Sequence, residues 1–321
     1  MSLTGIDEAI FASTDLATCR RFFLDWGLTL LAEDAQTLHF ETLNGARLTV
    51  AHSDSPGLVP GVEPDPTLRE VVWGVASLAD LDALRPLLRD QPGHVETPDR
   101  IGCTDPAGLA LRIQVSRKRD IDITCARSNS YAERTRIDTP SPIYDRATPV
   151  EIGHMVWFVT DIETTSAFYR TVLGFQLSDR YPGRGHFLRC APQGGHHDLL
   201  LLQVPNRAAG LNHVAFTVRD LHEVFGGGMH MARCGWATEL GPGKHPISSA
   251  IFWYFDSPTG GLIEYYSDAD ELTAAWAPRD FRPGPTVFAE WAIKGGLDGH
   301  TRRQIAVEAP KSGFITDRPK T

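Results

Sequence analysis

The stretch from Gly243 to Tyr266 reads Gly-Lys-His-Pro-Ile-Ser-Ser-Ala-Ile-Phe-Trp-Tyr-Phe-Asp-Ser-Pro-Thr-Gly-Gly-Leu-Ile-Glu-Tyr-Tyr. An apolar, aromatic run from Ala250 to Phe255 stops at a turn-forming sequence, and a second run follows from Leu262 to Tyr266. Two β-type runs across a turn that contains Pro and Gly predict a hairpin. The return strand carries one carboxylate, Glu264, and burial of an unpaired charge is unfavourable. A bound metal ion would compensate that charge.

A strand-helix-strand-strand-strand pattern recurs along the chain. The sequence Ile152–Asp161 matches Ile6–Asp15 in pattern, and Leu211–Leu221 matches Leu68–Leu78. A repeat of this kind decides the fold assignment because it defines the structural unit. We therefore predict an α+β protein of four repeated βαβββ modules in two domains, each pair of modules forming a partly closed, barrel-like sheet.

Short local signals predict where helices and turns lie. Thr14 and Asp15 are typical of a helix start, and Thr160 with Glu163 has the spacing of a capping box. Asn44-Gly45 between two strand-like runs is a strong hairpin signal. The run Gly226-Gly-Gly follows a helix start rather than a strand and lacks a Lys-Ser/Thr pair, so it does not predict a phosphate loop.

The repeat and the composition of the intervening segments predict the domain boundaries. Residues 117 to 148 are charged and lack apolar periodicity, which is typical of a connection. We predict an N-terminal domain without a metal at residues 1–118, a linker at 119–148, a C-terminal catalytic, metal-binding domain at 149–290 and a tail at 291–321. The last residues, from about Pro310, have the composition of a frayed end. The region around Trp276 and Trp291 is expected to cover a sheet.

Composition excludes several classes of partner. The chain has 321 residues, 42% hydrophobic and 22% charged, with a net charge of -9. That charge argues against nucleic acid and against an anionic membrane surface as partners. The five cysteines are scattered without a C-x-x-C pair, which favours reduced, buried thiols. No run resembles a membrane span or a signal peptide. We expect a soluble, cytoplasmic protein.

Three side chains of the second half form a candidate metal site. His154 and His213 lie in the first strands of the third and fourth modules, and Glu264 lies in the last strand of the fourth. Two histidines and one carboxylate can hold one face of a metal ion and leave the other face open, as in non-heme iron(II) oxygenases. Each histidine alone is more simply explained as a hydrogen-bonded strand residue. Their combination with a carboxylate on equivalent strands favours a metal.

The repeat provides an internal comparison for this site. Alignment of the two halves places Glu8 opposite His154, Glu70 opposite His213 and Arg112 opposite Glu264. Two acids and one arginine do not form an iron site, but they can neutralise one another. The fold by itself therefore does not require the histidines of the second half.

The second half resembles the type I extradiol ring-cleavage dioxygenases of the vicinal oxygen chelate superfamily (glyoxalase, bleomycin resistance protein and dioxygenase). The signature of that family near its C-terminus is a His, an aromatic-Tyr pair, a Pro-x-Gly turn and a Glu ligand. It stands here as His245, Trp253-Tyr254, Pro258-Thr259-Gly260 and Glu264, preceded by His196-His197-Asp198 and Asn212-His213. The overall plan of a metal-free domain followed by a catalytic domain covers residues 1 to about 290.

The resemblance implies a reaction and a role for each residue. In that family a catechol chelates iron(II) through both ring oxygens, and dioxygen opens the ring beside the diol. By resemblance, His154, His213 and Glu264 are the ligands of Fe(II), with Mn(II) as the likeliest substitute. His197 is the acid-base residue, and His245 and Tyr254 hydrogen-bond the substrate and the oxygen. His196 is expected to be its exposed neighbour.

The chain departs from the family at positions near the substrate. Ile247 and Ser248 stand where many relatives have polar residues, and Trp253 replaces a smaller apolar residue. These differences suggest an apolar, reshaped ring pocket and a large or bicyclic catechol. The sequence does not identify the catechol. The superfamily's habit of association at sheet edges makes a homo-oligomer the expected state.

Two other functions stay open on the sequence. One is a different metal-dependent enzyme of the same superfamily, an isomerase or a glutathione-using lyase, which needs no acid-base residue at His197. The other is a protein that binds an aromatic compound without turnover. Cys190 and Cys234 have no base nearby in sequence and are expected to be packing residues.

Overall fold

The structure, a computed structural model, describes residues 3–282 and 284–294. The first part of the chain alternates strands with two helices. In order these are β1 (Leu3–Ser13), α1 (Leu16–Trp26), β2 (Thr29–Glu33), β3 (Thr37–Glu41), β4 (Arg47–His52), β5 (Thr67–Val75), α2 (Leu78–Leu88), β6 (Val95–Glu96), β7 (Arg100–Thr104) and β8 (Ala110–Val115). They form the first and second βαβββ modules.

The second part of the chain repeats this succession and then adds short elements. In order these are β9 (Glu151–Phe158), α3 (Ile162–Thr171), β10 (Gln176–Tyr181), β11 (Gly185–Arg189), β12 (Gly194–Gly195), β13 (Leu199–Leu202), β14 (Gly210–Thr217), α4 (Leu221–Arg233), β15 (Thr238–Lys244), β16 (Ile251–Asp256), β17 (Leu262–Ser267), β18 (Glu271–Leu272), β19 (Arg279–Asp280), α5 (Pro285–Phe288) and β20 (Trp291–Lys294). The predicted α+β repeat of four modules is confirmed, with β12 as a two-residue addition to the third.

Each pair of modules forms one large sheet, and the two sheets have the same strand order. The first sheet runs β2-β3-β4-β1-β5-β8-β7-β6. The second runs β10-β11-β13-β9-β14-β17-β16-β15, flanked by β19 at one edge and β20 at the other. In both sheets the first strands of the two modules pair antiparallel at the centre. The centre of each sheet is therefore built from equivalent strands.

The strand registers of the two sheets also coincide. Val72 pairs with Glu8 on one side and Arg112 on the other, and Ala215 pairs with His154 on one side and Glu264 on the other. The alignment of the halves predicted from the sequence is thus confirmed at the level of individual strand pairs. Side chains at these positions occupy the same place in each sheet, so their chemistry can differ while the backbone stays the same.

The hairpin predicted at the second sheet is present. β16 and β17 pair antiparallel, with Tyr254 opposite Glu264. The connecting turn ends at Gly260 and Gly261, whose φ angles are +81° and +60°. These left-handed conformations explain why the turn needs two glycines, since a side chain would be strained at either position.

The helix starts largely follow the predicted signals. The side chain of Asp15 accepts a hydrogen bond from the Thr18 amide at the start of α1. The Thr160 capping box is wrong by one residue, because Asp161 caps α3 by accepting from the Thr164 amide. Aspartate is among the preferred N-cap residues, so the correct signal was adjacent to the predicted one.

The glycine run lies inside a helix. Gly226 to Gly228 are buried in α4, and a Cβ on Gly228 would meet the ring of Trp253. The glycines allow the helix to approach the sheet closely, so the rejection of a phosphate loop is confirmed.

Aromatic and polar contacts join the two halves. The rings of Trp26 and Tyr265 stack with centroids 3.5 Å apart, and the Tyr265 hydroxyl donates to the Trp26 carbonyl. The Tyr169 hydroxyl donates to Asp105 Oδ2 at 2.9 Å. These buried contacts connect helix α1 to β17 and helix α3 to the turn before β8. The two sheets are thus held as one packed unit.

The segments between and after the modules differ in structure. Residues 117–148 contain no helix or strand and are mostly exposed, with Tyr131 94% accessible. Residues 291–294, predicted as part of a tail, instead form β20 and pair with β15. The predicted frayed end and the rest of the tail from residue 295 lie outside the described residues.

The structure bears on two expectations from composition, the absence of a membrane span and the burial of the cysteines. None of the helices in the described part of the chain has the length and apolar character of a membrane span. The cysteines are free, but only Cys19, Cys103 and Cys190 are buried. Cys125 is exposed and Cys234 is half-buried, so the expectation that all thiols are buried is wrong. Cys125 lies in the irregular segment, where no sheet covers it.

Candidate metal centre

Three side chains from separate strands converge at the centre of the second sheet. The Nε2 atoms of His154 and His213 lie 3.3 Å apart. The Oε2 atom of Glu264 lies 3.2 Å from Nε2 of His154 and 3.1 Å from Nε2 of His213. At most 6% of each side chain is exposed. The three predicted ligands therefore form one compact, buried cluster.

The polar atoms of this cluster are under-satisfied by protein alone. Glu264 Oε2 is buried and lacks a directed hydrogen bond despite its two imidazole neighbours. His213 Nδ1 lies 2.6 Å from the amide oxygen of Asn212, so Nδ1 carries the proton and Nε2 presents a lone pair to the cluster. Lone pairs and a carboxylate oxygen around one point repel each other unless a cation lies between them. This donor set fits a divalent transition metal such as iron(II).

The pKa values of the cluster follow from burial and mutual interaction. Burial alone would raise the pKa of Glu264, but His154, His213 and His245 outweigh it and hold that pKa well below its usual range. Burial also lowers the pKa of His154, against the effect of Glu264. Glu264 is therefore a carboxylate at neutral pH and His154 favours the neutral form, which are the states that bind metals.

His197 lies beside the cluster, as predicted for an acid-base residue. Its ring centroid is 4.2 Å from that of His154, and the side chain faces the cavity above the cluster. Burial lowers the pKa of His197 well below its ordinary value, and the neighbouring His154 and His196 add to this effect. The imidazole is therefore neutral near pH 7 and has a lone pair available to accept a proton.

His245 and Tyr254 form a hydrogen-bonded pair on the other side of the cluster. His245 Nδ1 donates to the Phe288 carbonyl at 2.7 Å, so Nε2 accepts from the Tyr254 hydroxyl at 3.0 Å. His245 Nε2 is also 3.8 Å from Glu264 Oε1. Burial, with the nearby Glu264 carboxylate, raises the pKa of Tyr254 well above its ordinary value. Tyr254 thus remains a hydrogen-bond donor throughout the working pH range.

One cavity of about 540 Å³ is lined by five of the six predicted site residues, namely His154, His197, His213, His245 and Tyr254. Glu264 lies behind them, in contact with His154 and His213. One end is polar and contains these four histidines and Tyr254. The other end is apolar and is lined by Val156, Tyr181, Phe187, Leu200, Leu202, Ile247, Val287 and Phe288. A polar floor with an apolar wall is typical of sites for small aromatic ligands.

A profile of the Glyoxalase/Bleomycin resistance protein/Dioxygenase superfamily matches residues 151–265. Residues 151–265 are a domain of this superfamily. The predicted resemblance is thereby confirmed for the half of the chain that holds the candidate metal centre.

Similar proteins are known both as sequences and as solved structures. Metapyrocatechase 2 from Cupriavidus necator is 35% identical over 148 residues, which are 46% of this chain and 45% of that protein. The chain therefore spans less than half the length of this curated relative. The Mn(II)-bound glyoxalase from Novosphingobium aromaticivorans superposes with a TM-score of 0.71 at 24% identity, covering 92% of this chain and 93% of the other.

A second solved structure shares the same fold. BphC, described as a halotolerant catechol dioxygenase, also superposes with a TM-score of 0.71, at 18% identity, covering 92% of this chain and 95% of the other. The likeness extends over both sheets, so it confirms the predicted architecture along nearly the whole chain. At these identities it establishes the fold alone.

The pocket differences predicted within the superfamily domain are only partly confirmed. Ile247 is 3% exposed and lines the apolar wall. Ser248 and Ser249 both adopt positive φ angles, 75° and 61°, next to the cavity. The expectation that Trp253 reshapes the pocket is wrong. Trp253 is fully buried on the opposite face of β16, where its Nε1 donates to Thr238 Oγ1.

The alternation of a strand explains the position of Trp253. Successive side chains of a strand point to opposite faces of its sheet. Tyr254 faces the cavity, so its neighbour Trp253 faces helix α4. A prediction based on strand period alone would have excluded Trp253 from the pocket.

The segment after β17 does more than cover the sheet. Trp276 Nε1 donates to the Ser178 carbonyl at 2.8 Å and packs over β10, as predicted. Val287 and Phe288, the last two residues of α5, line the cavity itself. The covering role predicted for this region is therefore incomplete, because the same segment closes the apolar end of the site.

His196 is buried rather than exposed. It is 1% exposed, and its Nε2 lies 2.8 Å from Asp179 Oδ2. Asp179 is in turn held by Arg279 at 2.7 Å. The sequence did not single out Asp179 or Arg279. The available signal was the acid itself, since Asp179 lies in a strand and such a residue needs a partner when it is buried.

The first sheet holds the predicted ion cluster at the equivalent place. Arg112 Nη2 lies 3.2 Å from Glu70 Oε2, and both side chains are largely buried. Burial raises the pKa of Glu70, and Arg112 opposes that shift. Glu8 accepts a hydrogen bond from Thr49 Oγ1 at 2.8 Å. The same backbone thus carries an arginine-acid pair in one half and the candidate metal ligands in the other.

Proposed function

We propose that this protein is an extradiol dioxygenase that opens the ring of a catechol-type diol with O₂ at an iron(II) site, for which Mn(II) is the likeliest substitute. The observation that carries the proposal is the convergence of His154, His213 and Glu264 beneath a cavity with a neutral histidine and an apolar wall. Metapyrocatechase 2 and the catechol dioxygenase neighbour, by their names, support the same reaction class.

His154, His213 and Glu264 would hold the metal through two imidazole nitrogens and one carboxylate oxygen. Iron(II), when bound, supplies open coordination positions for a diol and for dioxygen together with its redox chemistry. Asn212 fixes the orientation of His213 through the hydrogen bond at Nδ1. Such an outer partner keeps the ligand nitrogen directed at the metal position and raises its basicity.

His197 would accept a proton from the diol. Its lowered pKa keeps the imidazole neutral near pH 7, and the ring lies against that of His154 at the cavity floor. The same side chain, once protonated, can return the proton later in the reaction. General acid-base catalysis needs such a group within hydrogen-bond reach of the reacting oxygen.

His245 and Tyr254 would hold the substrate oxygen on the opposite side. The Tyr254 hydroxyl keeps its proton, and its contact with His245 fixes its direction. A substrate oxygen that bears negative charge would take over the Tyr254 hydrogen bond that His245 Nε2 accepts in the structure, because a charged oxygen is a stronger acceptor than a neutral imidazole. The apolar residues at the other end of the cavity would pack on the ring and exclude water from it.

The test is reconstitution with iron(II) under anaerobic conditions, followed by oxygen uptake with a panel of catechols from monocyclic to bicyclic. We expect uptake of one O₂ per diol and a yellow ring-fission product, and neither without metal. Absence of both with every catechol would contradict the proposal. His197→Phe should abolish uptake, whereas isomerase or lyase chemistry of the glyoxalase kind does not need a base at that position.

A protein that merely binds an aromatic compound is distinguished by the same preparation. It would bind a catechol tightly with the metal site empty or filled with zinc, and it would not consume oxygen once iron is supplied. Ligand affinity that is independent of iron, together with no uptake, would favour that function.

We also propose the division into residues 1–118, 119–148 and 149–290, a homo-oligomeric state and a cytoplasmic location. The regular elements end at Val115 and resume at Glu151, which supports the first boundary pair. Limited proteolysis between residues 119 and 148, with the fragments held together or separated on a sizing column, tests the division. Light scattering of the intact protein measures the oligomeric state.

A further inference from the structure

A chain of buried polar groups runs from His197 to the protein surface. His197 Nδ1 lies 3.2 Å from His196 Nδ1, and His196 Nε2 lies 2.8 Å from Asp179 Oδ2. Arg279 completes the chain, with Nη2 2.7 Å from Asp179 Oδ2 and Nε 3.1 Å from Asp179 Oδ1. His196 and Asp179 are 1% and 0% exposed, while the Arg279 side chain is 44% exposed.

The arginine determines the state of the aspartate. Arg279 binds both carboxylate oxygens, and its backbone amide donates to Oδ1 at 2.8 Å. Burial alone would raise the pKa of Asp179, but the hydrogen bonds from His196 and Arg279 outweigh it and lower that pKa. Asp179 is therefore a carboxylate, which only accepts hydrogen bonds.

The aspartate determines where His196 carries its proton. Because Asp179 only accepts, His196 Nε2 must donate and carries a hydrogen. Arg279 already neutralises Asp179, so a second positive charge on the buried His196 imidazole is not required and would be costly to desolvate. A neutral His196 with its proton on Nε2 has a lone pair on Nδ1.

The tautomer of His197 then follows. The two Nδ1 atoms are 3.2 Å apart, so one of them must donate for the contact to be favourable. Since His196 Nδ1 accepts, His197 Nδ1 donates and carries the hydrogen. The remaining nitrogen of His197, Nε2, is left with a lone pair for the cavity.

We propose that Arg279, Asp179 and His196 are positioning residues that hold His197 as its Nδ1-protonated tautomer, with a basic Nε2 directed to the substrate. The consequence for catalysis rests on the proposed function, whereas the tautomer itself does not. The arrangement resembles in logic the aspartate that orients the histidine of a serine protease, where exchange of Asp for Asn leaves the wrong tautomer. Here an additional histidine lies between the aspartate and the base.

Arg279 belongs to the segment after β17, which also closes the apolar end of the site. β19 pairs with β10 so that Asp179 is opposite Arg279. The Arg279 guanidinium also stacks over Trp276 and Phe281 of the same segment. The segment that contributes the apolar end of the cavity thus also supplies the charge that fixes the base.

The test measures the tautomer directly. Protein labelled with ¹⁵N-histidine and loaded with Zn²⁺, a diamagnetic probe, is studied by NMR, and the His197 signals are assigned by their loss in His197→Phe. We expect His197 in the wild type to carry its proton on Nδ1. In Asp179→Asn the side-chain amide can donate to His196 Nε2, which reverses both histidines, so His197 should carry its proton on Nε2.

Kinetics of the iron-loaded variants provide the second readout. Asp179→Asn should lower kcat at least about tenfold with KM changed less than about threefold, because the ring is in place but presents the wrong nitrogen. Asp280→Asn is the matched control, since Asp280 lies next in β19 and pairs with the exposed Arg180. It should leave both the tautomer and kcat unchanged.

Two results would overturn the proposal. One is a wild-type His197 that carries its proton on Nε2, a measurement that does not depend on any variant folding. The other is an Asp179→Asn protein with an unchanged His197 tautomer. A wild type with the expected tautomer but no activity on any catechol would support the positioning proposal and contradict the proposed function instead.

Discussion

The Nδ1 atom of His213 and the Oδ1 atom of its neighbour Asn212 are 2.6 Å apart. This contact sets the tautomer of a candidate metal ligand from within the same strand, β14. Asn212 itself lines the cavity and is only half-buried, so the residue that orients His213 lies at the edge of the site. The hydrogen bond leads to a first prediction about metal affinity.

Asn212→Ala should weaken iron(II) binding by about tenfold or more, because loss of a partner behind a ligating histidine has an effect of this size. The fold should be unaffected, since the side chain is only half-buried. Anaerobic competition with a chelator of known affinity measures the change. Gln176→Ala, at an exposed position at the start of β10, is the control and should bind as the wild type does. Equal affinities for all three proteins would contradict this role of Asn212.

Glu264→Gln should abolish the thermal stabilisation that metal gives. A ligand at a hundred times its Kd adds about 2.7 kcal/mol to the free energy of unfolding, and a neutral amide is a much poorer ligand than the carboxylate. Melting temperatures with and without Mn²⁺ measure the effect. Glu70→Gln is the matched control, because Glu70 belongs to the cluster at the equivalent place of the first sheet. It should lower the baseline stability and keep the metal-induced increase. A metal-induced increase that survives in Glu264→Gln would exclude this carboxylate as a ligand.

Tyr254→Phe should slow turnover while leaving metal content unchanged. Its hydroxyl keeps its proton and would donate it to the charged substrate oxygen in place of His245. One hydrogen bond to a charged group is worth about 1.5–3 kcal/mol, or about 10- to 100-fold in rate. Steady-state oxygen uptake and iron analysis give the two quantities. Tyr181→Phe is the comparison, since Tyr181 lies at the apolar end and donates to the Val287 carbonyl. If both variants lost activity equally, the hydroxyl of Tyr254 would have no specific part in the reaction.

The sequence predicted the repeat and the three converging side chains because strand pattern and module order determine strand register. Glu8 pairs with Val72, and His154 pairs with Ala215. Once Glu8 and His154 are aligned, the remaining positions of the paired strands are aligned as well. The same reasoning located the arginine-acid cluster of the first sheet. Periodicity thus determines which residues share a place in a symmetrical fold.

The sequence did not predict the buried partners that come from outside the repeat. His196 was expected to be exposed, but Arg279 arrives from a segment 100 residues after Asp179 and covers this edge of the sheet. That segment has no equivalent in the first half, so no internal comparison revealed it. The error at Trp253 has a different cause. Its assignment to the pocket followed from the family resemblance, whereas strand alternation places it on the face opposite Tyr254.

Asp105, which accepts a hydrogen bond from Tyr169 at the contact between the halves, should make the stability of the protein depend on pH. Burial raises the pKa of Asp105 from 3.8 to about 6, although the Leu109 amide and the Tyr169 hydroxyl oppose the shift. The folded state therefore binds this proton more tightly than the unfolded state. Protonated Asp105 therefore stabilises the folded state. This contribution to the free energy of unfolding is fully present below about pH 4. It is lost as pH rises through about 6, by up to about 3 kcal/mol.

Asp105→Asn removes this titration and should flatten the corresponding part of the stability profile. Relative to the wild type, the variant should gain free energy of unfolding as pH rises from 4 to 7, because the wild type alone then carries a buried charge. Urea denaturation at a series of pH values measures the difference. A difference between Asp105→Asn and the wild type that does not vary with pH would mean that the pKa of Asp105 is not raised in the folded state.

The most direct test of the central claim is the fate of isotopically labelled oxygen. Iron-loaded protein, a catechol it turns over and ¹⁸O₂ are mixed, and the product is analysed by mass spectrometry within the first turnovers, before carbonyl oxygen exchanges with water. If His154, His213 and Glu264 hold an iron that performs extradiol cleavage, both labelled atoms appear in one ring-opened product, and the Glu264→Gln protein forms none. A product with one labelled atom or none, or equal activity in the Glu264→Gln protein, would contradict the account.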